Sequence, residues 1–280
     1  MNSAQFYYLL RRGIIGGGGS SGGDSFTGLL DTYSGAAAAY SLRQLSSTYS
    51  GNAIKVRRSS DNAEQDIAFT NNELDTASLE TFAGAGDAFV TTWYDQSGNG
   101  VDAANASASS QPKIVSSGST ILENGKATLE CNGNSQLKFS KINTASSSSF
   151  VSVTYNDTTD KMLYGTHDNT QDFFWIYSSA QVRVREGNFQ TTLNIAISGQ
   201  SNTSIFRNNT NNLFISNNGS LSSVSSTDSS MAINTIMNGY NGTPFALNGT
   251  FQEFILWSNS DESTNRTGIE TNINDFYSIY

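Results

Sequence analysis

From residue 149 onward, apolar side chains alternate with polar ones. Val151, Val153 and Tyr155 share one face, as do Val182 and Val184, and Leu193, Ile195 and Ile197. Successive side chains of a strand point to opposite faces, so this period of two predicts half-buried antiparallel strands. Further strands are expected at 173–177, 204–207, 213–216 and 250–257, with Asn217-Asn218-Gly219 as a turn signal. The first half of the chain is mixed. Strands are expected at 53–58 and 89–94, while the alanines of 36–45, with Leu42 and Leu45, predict a short helix. Asp75 predicts the N-cap of a second helix carrying Leu79 and Phe82, with Gly84 just past its end. At the C-terminus the period lengthens, because Ile269, Ile273, Phe276 and Tyr277 fall at i, i+4, i+7 and i+8. That spacing is the apolar face of a helix, which Ser260 or Asp261 can cap and which is expected to seal a two-sheet sandwich.

The first 23 residues break this pattern. Phe6, Tyr7, Tyr8, Leu9 and Leu10 form an apolar aromatic run, and glycines and serines occupy 16–23. Arg11 and Arg12 follow the apolar stretch, the reverse of the order in a secretory signal. The glycines read as a flexible linker, so residues 1–23 are expected to be an anchoring arm for an assembly and 24–280 the sandwich itself. No apolar run approaches the ~18 residues that would suggest a membrane span.

Composition agrees with many short strands joined by polar turns. Only 14% of residues are charged, 11% are aromatic, and Pro112 and Pro244 are the only prolines. A formal charge of −9 disfavours nucleic acid and anionic membrane as partners, since both call for clustered Lys and Arg. Cys131 is the single cysteine and His167 the single histidine, which excludes an intrachain disulfide and cysteine-based zinc chemistry. No cofactor is expected. The loop 95–102 combines carboxylates, amides and glycines, so it reads either as a set of Asx turns or as an oxygen-ligated Ca²⁺ loop.

Four stretches carry a resemblance. Ala39-Tyr40-Ser41-Leu42-Arg43, Tyr49-Ser50-Gly51, Val56-Arg57-Arg58-Ser59-Ser60-Asp61 and above all Trp93-Tyr94-Asp95-Gln96-Ser97-Gly98-Asn99-Gly100 resemble the catalytic domain of the α-L-arabinofuranosidase B family. The run 249–255 followed by 265–269 is similar to the closing strand and helix of laminin-G-like modules, which recur in phage structural proteins. The resemblance implies an all-β, concanavalin-A-like jelly-roll sandwich. It also implies where catalytic groups would lie, and there this chain departs: Phe174 stands at the position of the family's nucleophilic Glu, and 238–243 has no carboxylate where the family carries its acid/base Asp. Asp160-Lys161-Met162-Leu163-Tyr164-Gly165 replaces the strand that holds the family's adjacent cysteines.

Retaining glycoside hydrolysis needs two carboxyl groups flanking the scissile bond. The chain is therefore expected to be non-catalytic unless Asp168, Asp172, Glu186 or Glu253 pair in another way. The expected function is a virion structural protein of capsid-decoration or fibre type, displayed on the particle surface and partnered by capsid or tail proteins and by copies of itself. The alternatives are a bacterial surface or secreted carbohydrate-binding module and a divergent arabinofuranosidase. Trp175, Tyr177, Tyr155, Tyr164, Tyr240 and Asn241 are the candidate polysaccharide contacts, each weighed against a place in the core. Arg57 and Arg58 are read as an anion-holding pair or as internal partners of Asp61, Glu64 or Asp95.

Overall fold

The computed structural model describes residues 26–156, 160–167, 172–186, 189–197, 199–208, 212–225, 230–239 and 245–280. The arm at 1–23, with Phe6 to Leu10, lies outside the described residues, as do Asp168, Tyr240 and Asn241.

Among the described residues, nineteen strands join one hydrogen-bonded network, folded so that two layers face each other across a common core. The strand Asn248–Trp257 organises the first layer. On one side it pairs antiparallel with Ser148–Asn156, and on the other with Ala38–Ser41 and Leu129–Asn132. Beyond 148–156 lie Gly199–Asn208, Asn212–Asn217 and Ser220–Ser225, the last two joined through the expected turn at Asn218 and Gly219. The second layer runs Leu137–Asn143, Ala232–Ile236, Lys161–Gly165, Phe173–Ser178, Gln181–Glu186 and Phe189–Asn194. Phe150 stacks on Tyr164 at 5.5 Å, and Tyr164 lies 5.1 Å from Phe254, so aromatic rings bridge the layers. Cys131 is part of this core.

Alternation gives the 148–156 strand two buried faces. Phe150 enters the inter-layer core, whereas Val151 and Val153 pack with Trp257 beneath the helix Arg266–Tyr277. That helix buries Ile269, Ile273 and Tyr277, the expected apolar stripe. Asp261 does accept from Ser263 N, although it caps a 3₁₀ turn just ahead of the helix.

The expected strands at 53–58, 89–94, 173–177, 204–207, 213–216 and 250–257 all occur, shifted by a few residues at their ends. The helix Thr76–Ala83 forms as its caps dictate: the Asp75 carboxylate accepts from Ser78 N at 3.0 Å, and Gly84 leaves the helix at a φ of 62°. The helix expected at 36–45 is a correction, because Ala38–Ser41 is a strand. Ala39 faces the helix layer while Ala38 and Tyr40 face the inner core, so both faces of the strand are covered. Alanines suit such a position because they fit between two packed layers, and pairing with residues 253–256 overrides their helix propensity.

Candidate functional site

The Tyr94–Gly100 motif folds back on the 38–41 strand. The buried Asp95 carboxylate collects four donors: Oδ1 accepts from Ala39 N at 2.8 Å and Ser97 N at 2.9 Å, and Oδ2 from Ser97 Oγ at 2.7 Å and Val101 N at 3.0 Å. Gln96 accepts from Leu45 N and donates to the carbonyls of Ser41 and Arg43. Asn99 donates to Ala36 O at 2.9 Å. The motif's polar side chains thus satisfy backbone groups of a segment far away in sequence, as Asx turns do locally. Arg58 likewise pairs with Asp61, and Arg57 donates to Gln111 and Asn62.

Around Phe174 the strand pair 161–165 and 173–178 divides its side chains sharply. Phe174 is fully buried and stacks on Tyr164 at 5.4 Å with the rings 13° apart. A bulge at Leu163 breaks the register between Met162 and Tyr164, so that Leu163 and Tyr164 both enter the core. Tyr164 is therefore a core residue and is corrected as a candidate glycan contact. Tyr155 is half-buried, and alternation puts it with Val151 and Val153 on the helix-covered side of the other layer. It does not join the remaining candidates.

On the outer face of 173–178 lie Phe173, Trp175 and Tyr177. Trp175 meets Phe173 edge-on at 5.7 Å and Tyr177 edge-on at 5.2 Å, and Phe245 packs 5.1 Å from it. The Arg183 guanidinium, one strand over, lies 3.7 Å from the Tyr177 ring centre and 5.0 Å from that of Trp175. Tyr177 is 39% exposed. Sequence reading found the two aromatics and missed the arginine, although its partnership with Trp175 follows from strand register.

Just before Phe173 three backbone segments converge. A Cβ on Gly165 would fall 2.4 Å from Asp172 O and 2.8 Å from Gly239 O, so only glycine permits the approach. Here the buried Asp172 accepts from Ala232 N at 2.7 Å, while Thr166 Oγ1 accepts from Asp172 N at 3.2 Å. His167 N donates to Asn234 Oδ1 at 2.7 Å. Asp172, Thr166, His167 and Asn234 thus form a polar cluster at the end of the second layer. Of the other carboxylates considered, Glu253 is bound by Arg43, and Glu186 forms a buried ion pair with Arg207 across the two layers.

The architecture is an all-β sandwich whose Tyr94–Gly100 motif anchors the 38–41 strand. A family model described as "Alpha-L-arabinofuranosidase B, catalytic" matches residues 31–250, and the chain belongs to that family. Solved relatives share the fold. An arabinofuranosidase complexed with arabinofuranosyl-α-1,2-xylobiose superposes with a TM-score of 0.65 at 19% identity, covering 85% of this chain and 62% of the solved one. A GH54 α-L-arabinofuranosidase soaked with a cyclic sulfate inhibitor gives the same TM-score and coverage at 20% identity. The chain thus spans about three-fifths of the length of these solved proteins. No curated protein shows a significant sequence match.

These findings correct the expected function. A model of a catalytic domain covering most of the chain, with arabinofuranosidases as fold neighbours, overturns the reading as a non-catalytic virion structural protein of decoration or fibre type. Phe174 and the carboxylate-free run at 238–243 mark where this chain departs from the family's pattern while remaining within the family.

Proposed function

We propose that this chain is a glycoside hydrolase module acting on α-L-arabinofuranosyl groups. The observation that carries the reading is the catalytic-domain family match over residues 31–250. One solved relative is complexed with arabinofuranosyl-α-1,2-xylobiose, and a mutant of a GH54 α-L-arabinofuranosidase was soaked with 4-nitrophenyl α-L-arabinofuranoside. Within the same reading, the sandwich is a jelly roll whose closing strand and helix are laminin-G-like.

Hydrolysis by two carboxyl groups cannot draw one of them from Phe174. Asp172 is the described carboxylate nearest to Phe174 along the chain, two residues upstream and just ahead of the strand. Its backbone is fixed by the Gly165 approach and its Oδ2 by the Ala232 amide, so the group is held in one orientation beside Thr166 and His167. Asp172 is assigned as one of the reacting carboxyls.

The test is release of 4-nitrophenol from 4-nitrophenyl α-L-arabinofuranoside by the full chain. Turnover above the protein-free control is expected, with a loss of about a hundredfold or more in kcat for Asp172→Asn while circular dichroism is unchanged. Absence of turnover in the parent protein overturns the hydrolase reading, and full turnover in the variant overturns the role of Asp172.

A further inference from the structure

The outer face of the 173–178 and 181–186 strands holds a charged group that internal structure does not use up. Arg43, Arg58, Arg207 and Arg266 each pair with a carboxylate, in Glu253, Asp61, Glu186 and Glu270 respectively. Acidic groups outnumber basic ones in this chain, 24 to 15, so an arginine has no shortage of partners. Arg183 nevertheless has no carboxylate partner among the described residues. Its Nε reaches Thr192 Oγ1 at 3.5 Å, a weak bond, and its guanidinium carbon lies over the Tyr177 and Trp175 rings.

We infer that Arg183 and Tyr177 form a binding site for an acidic saccharide, in which the arginine takes the carboxylate of a uronic acid and the exposed tyrosine ring takes the sugar's C–H face. A guanidinium held over aromatic rings makes no hydrogen bond to them in its plane, which leaves its fork of N–H donors available to take a carboxylate bidentately. Because the rings already restrict its rotamers, little further freedom is lost on binding. Trp175 is a positioning residue, itself braced by Phe173 and Phe245. The neighbouring pair Gln181 and Asn194, joined at 3.0 Å on this same face, offers amide groups to sugar hydroxyls. An acidic peptide would satisfy the arginine but leaves the tyrosine face and the amides without a role. The inference does not rest on hydrolysis, since it concerns binding at a face that carries none of the buried carboxylates.

The experiment is calorimetric titration of the full chain with trigalacturonate, with a neutral arabinotriose and with triglutamate. Saturable, salt-sensitive binding of trigalacturonate is expected, weakened about tenfold or more in Arg183→Gln, less in Arg183→Lys, and also weakened in Tyr177→Ala. Each variant is checked for an unchanged circular dichroism spectrum. Equal binding of trigalacturonate by Arg183→Gln, equal affinity for arabinotriose, or absence of binding in the parent overturns the proposal. Triglutamate binding as tightly as trigalacturonate would mean that the site takes acidic peptide instead. Nitrophenyl arabinofuranoside turnover is read separately, so the two proposals fail independently.

Discussion

Arg43 and Glu253 meet as a two-pronged ion pair inside the protein, with Nε to Oε2 at 2.8 Å and Nη2 to Oε1 at 3.0 Å. They lie 210 positions apart in the chain. The arginine also donates from Nη1 to Asn272 Oδ1 at 2.8 Å, and the Ser41 and Tyr277 hydroxyls donate to Glu253 Oε2. Burial alone would lower the Arg43 pKa, but the carboxylate opposite outweighs it and the pKa is raised. The pair fastens the terminal helix to the central strand, and Glu253 is taken up by four donors.

Arg43→Met should therefore destabilise the fold by about 3–5 kcal/mol, because Glu253 is left charged and unpaired in the interior. Urea unfolding of the parent and variant measures the difference. A change under about 0.5 kcal/mol, the scatter of ordinary surface substitutions, would show that the pair is not structural.

Phe174→Ala should cost about 3–5 kcal/mol, the range for removing a fully buried aromatic ring. The ring lies against Tyr164 in the inter-layer core, and a carboxylate in its place would be surrounded by aromatic surface. Chemical denaturation gives the value. A loss near zero would mean that Phe174 borders an open cleft.

Stability should fall as pH rises above about 10. Tyr40, Tyr164 and Tyr277 are raised above the ordinary tyrosine value, all first by burial, with Asp95 adding to the effect at Tyr40 and Glu253 at Tyr277. In the unfolded chain these phenols lose their protons near pH 10, while in the fold they keep them. The unfolded state then binds fewer protons and gains relative stability. The contribution is complete below pH 10 and declines steadily above it. Thermal melts from pH 8 to 11.5 should show Tm constant at first and then dropping, with less decline in Tyr164→Phe. A flat profile would contradict the burial of these hydroxyl groups.

Much of the sandwich is legible from residue order. The alternation at Val151 and Val153, the Asp75 and Gly84 caps and the Ile269, Ile273 and Tyr277 stripe are local signals that the fold keeps. The 38–41 strand is not legible, because what makes it a strand is its pairing with residues 253–256, more than 200 positions on. Tyr164 misleads for a similar reason: a bulge at Leu163 reverses the face that simple alternation assigns. In the candidate site, Trp175 and Tyr177 stand out as aromatics on one strand. Arg183 and the Asp172 cluster depend on register and on a glycine-only backbone approach, and neither carries a local signature.

The strand 248–257 lies at the middle of its layer and is made after every strand it pairs with, so those strands wait for it during synthesis. Until it leaves the ribosome, the strands at 38–41, 129–132 and 148–156 have one edge each without the neighbour they hold in the finished protein. Those edges are then open to pairing with other nascent chains, the hazard of topologies built from distant contacts. Slow emergence of 248–257 would prolong that exposure, so the yield of native protein in cells should depend on holding chaperones and on low temperature more than the stability of the finished sandwich would suggest.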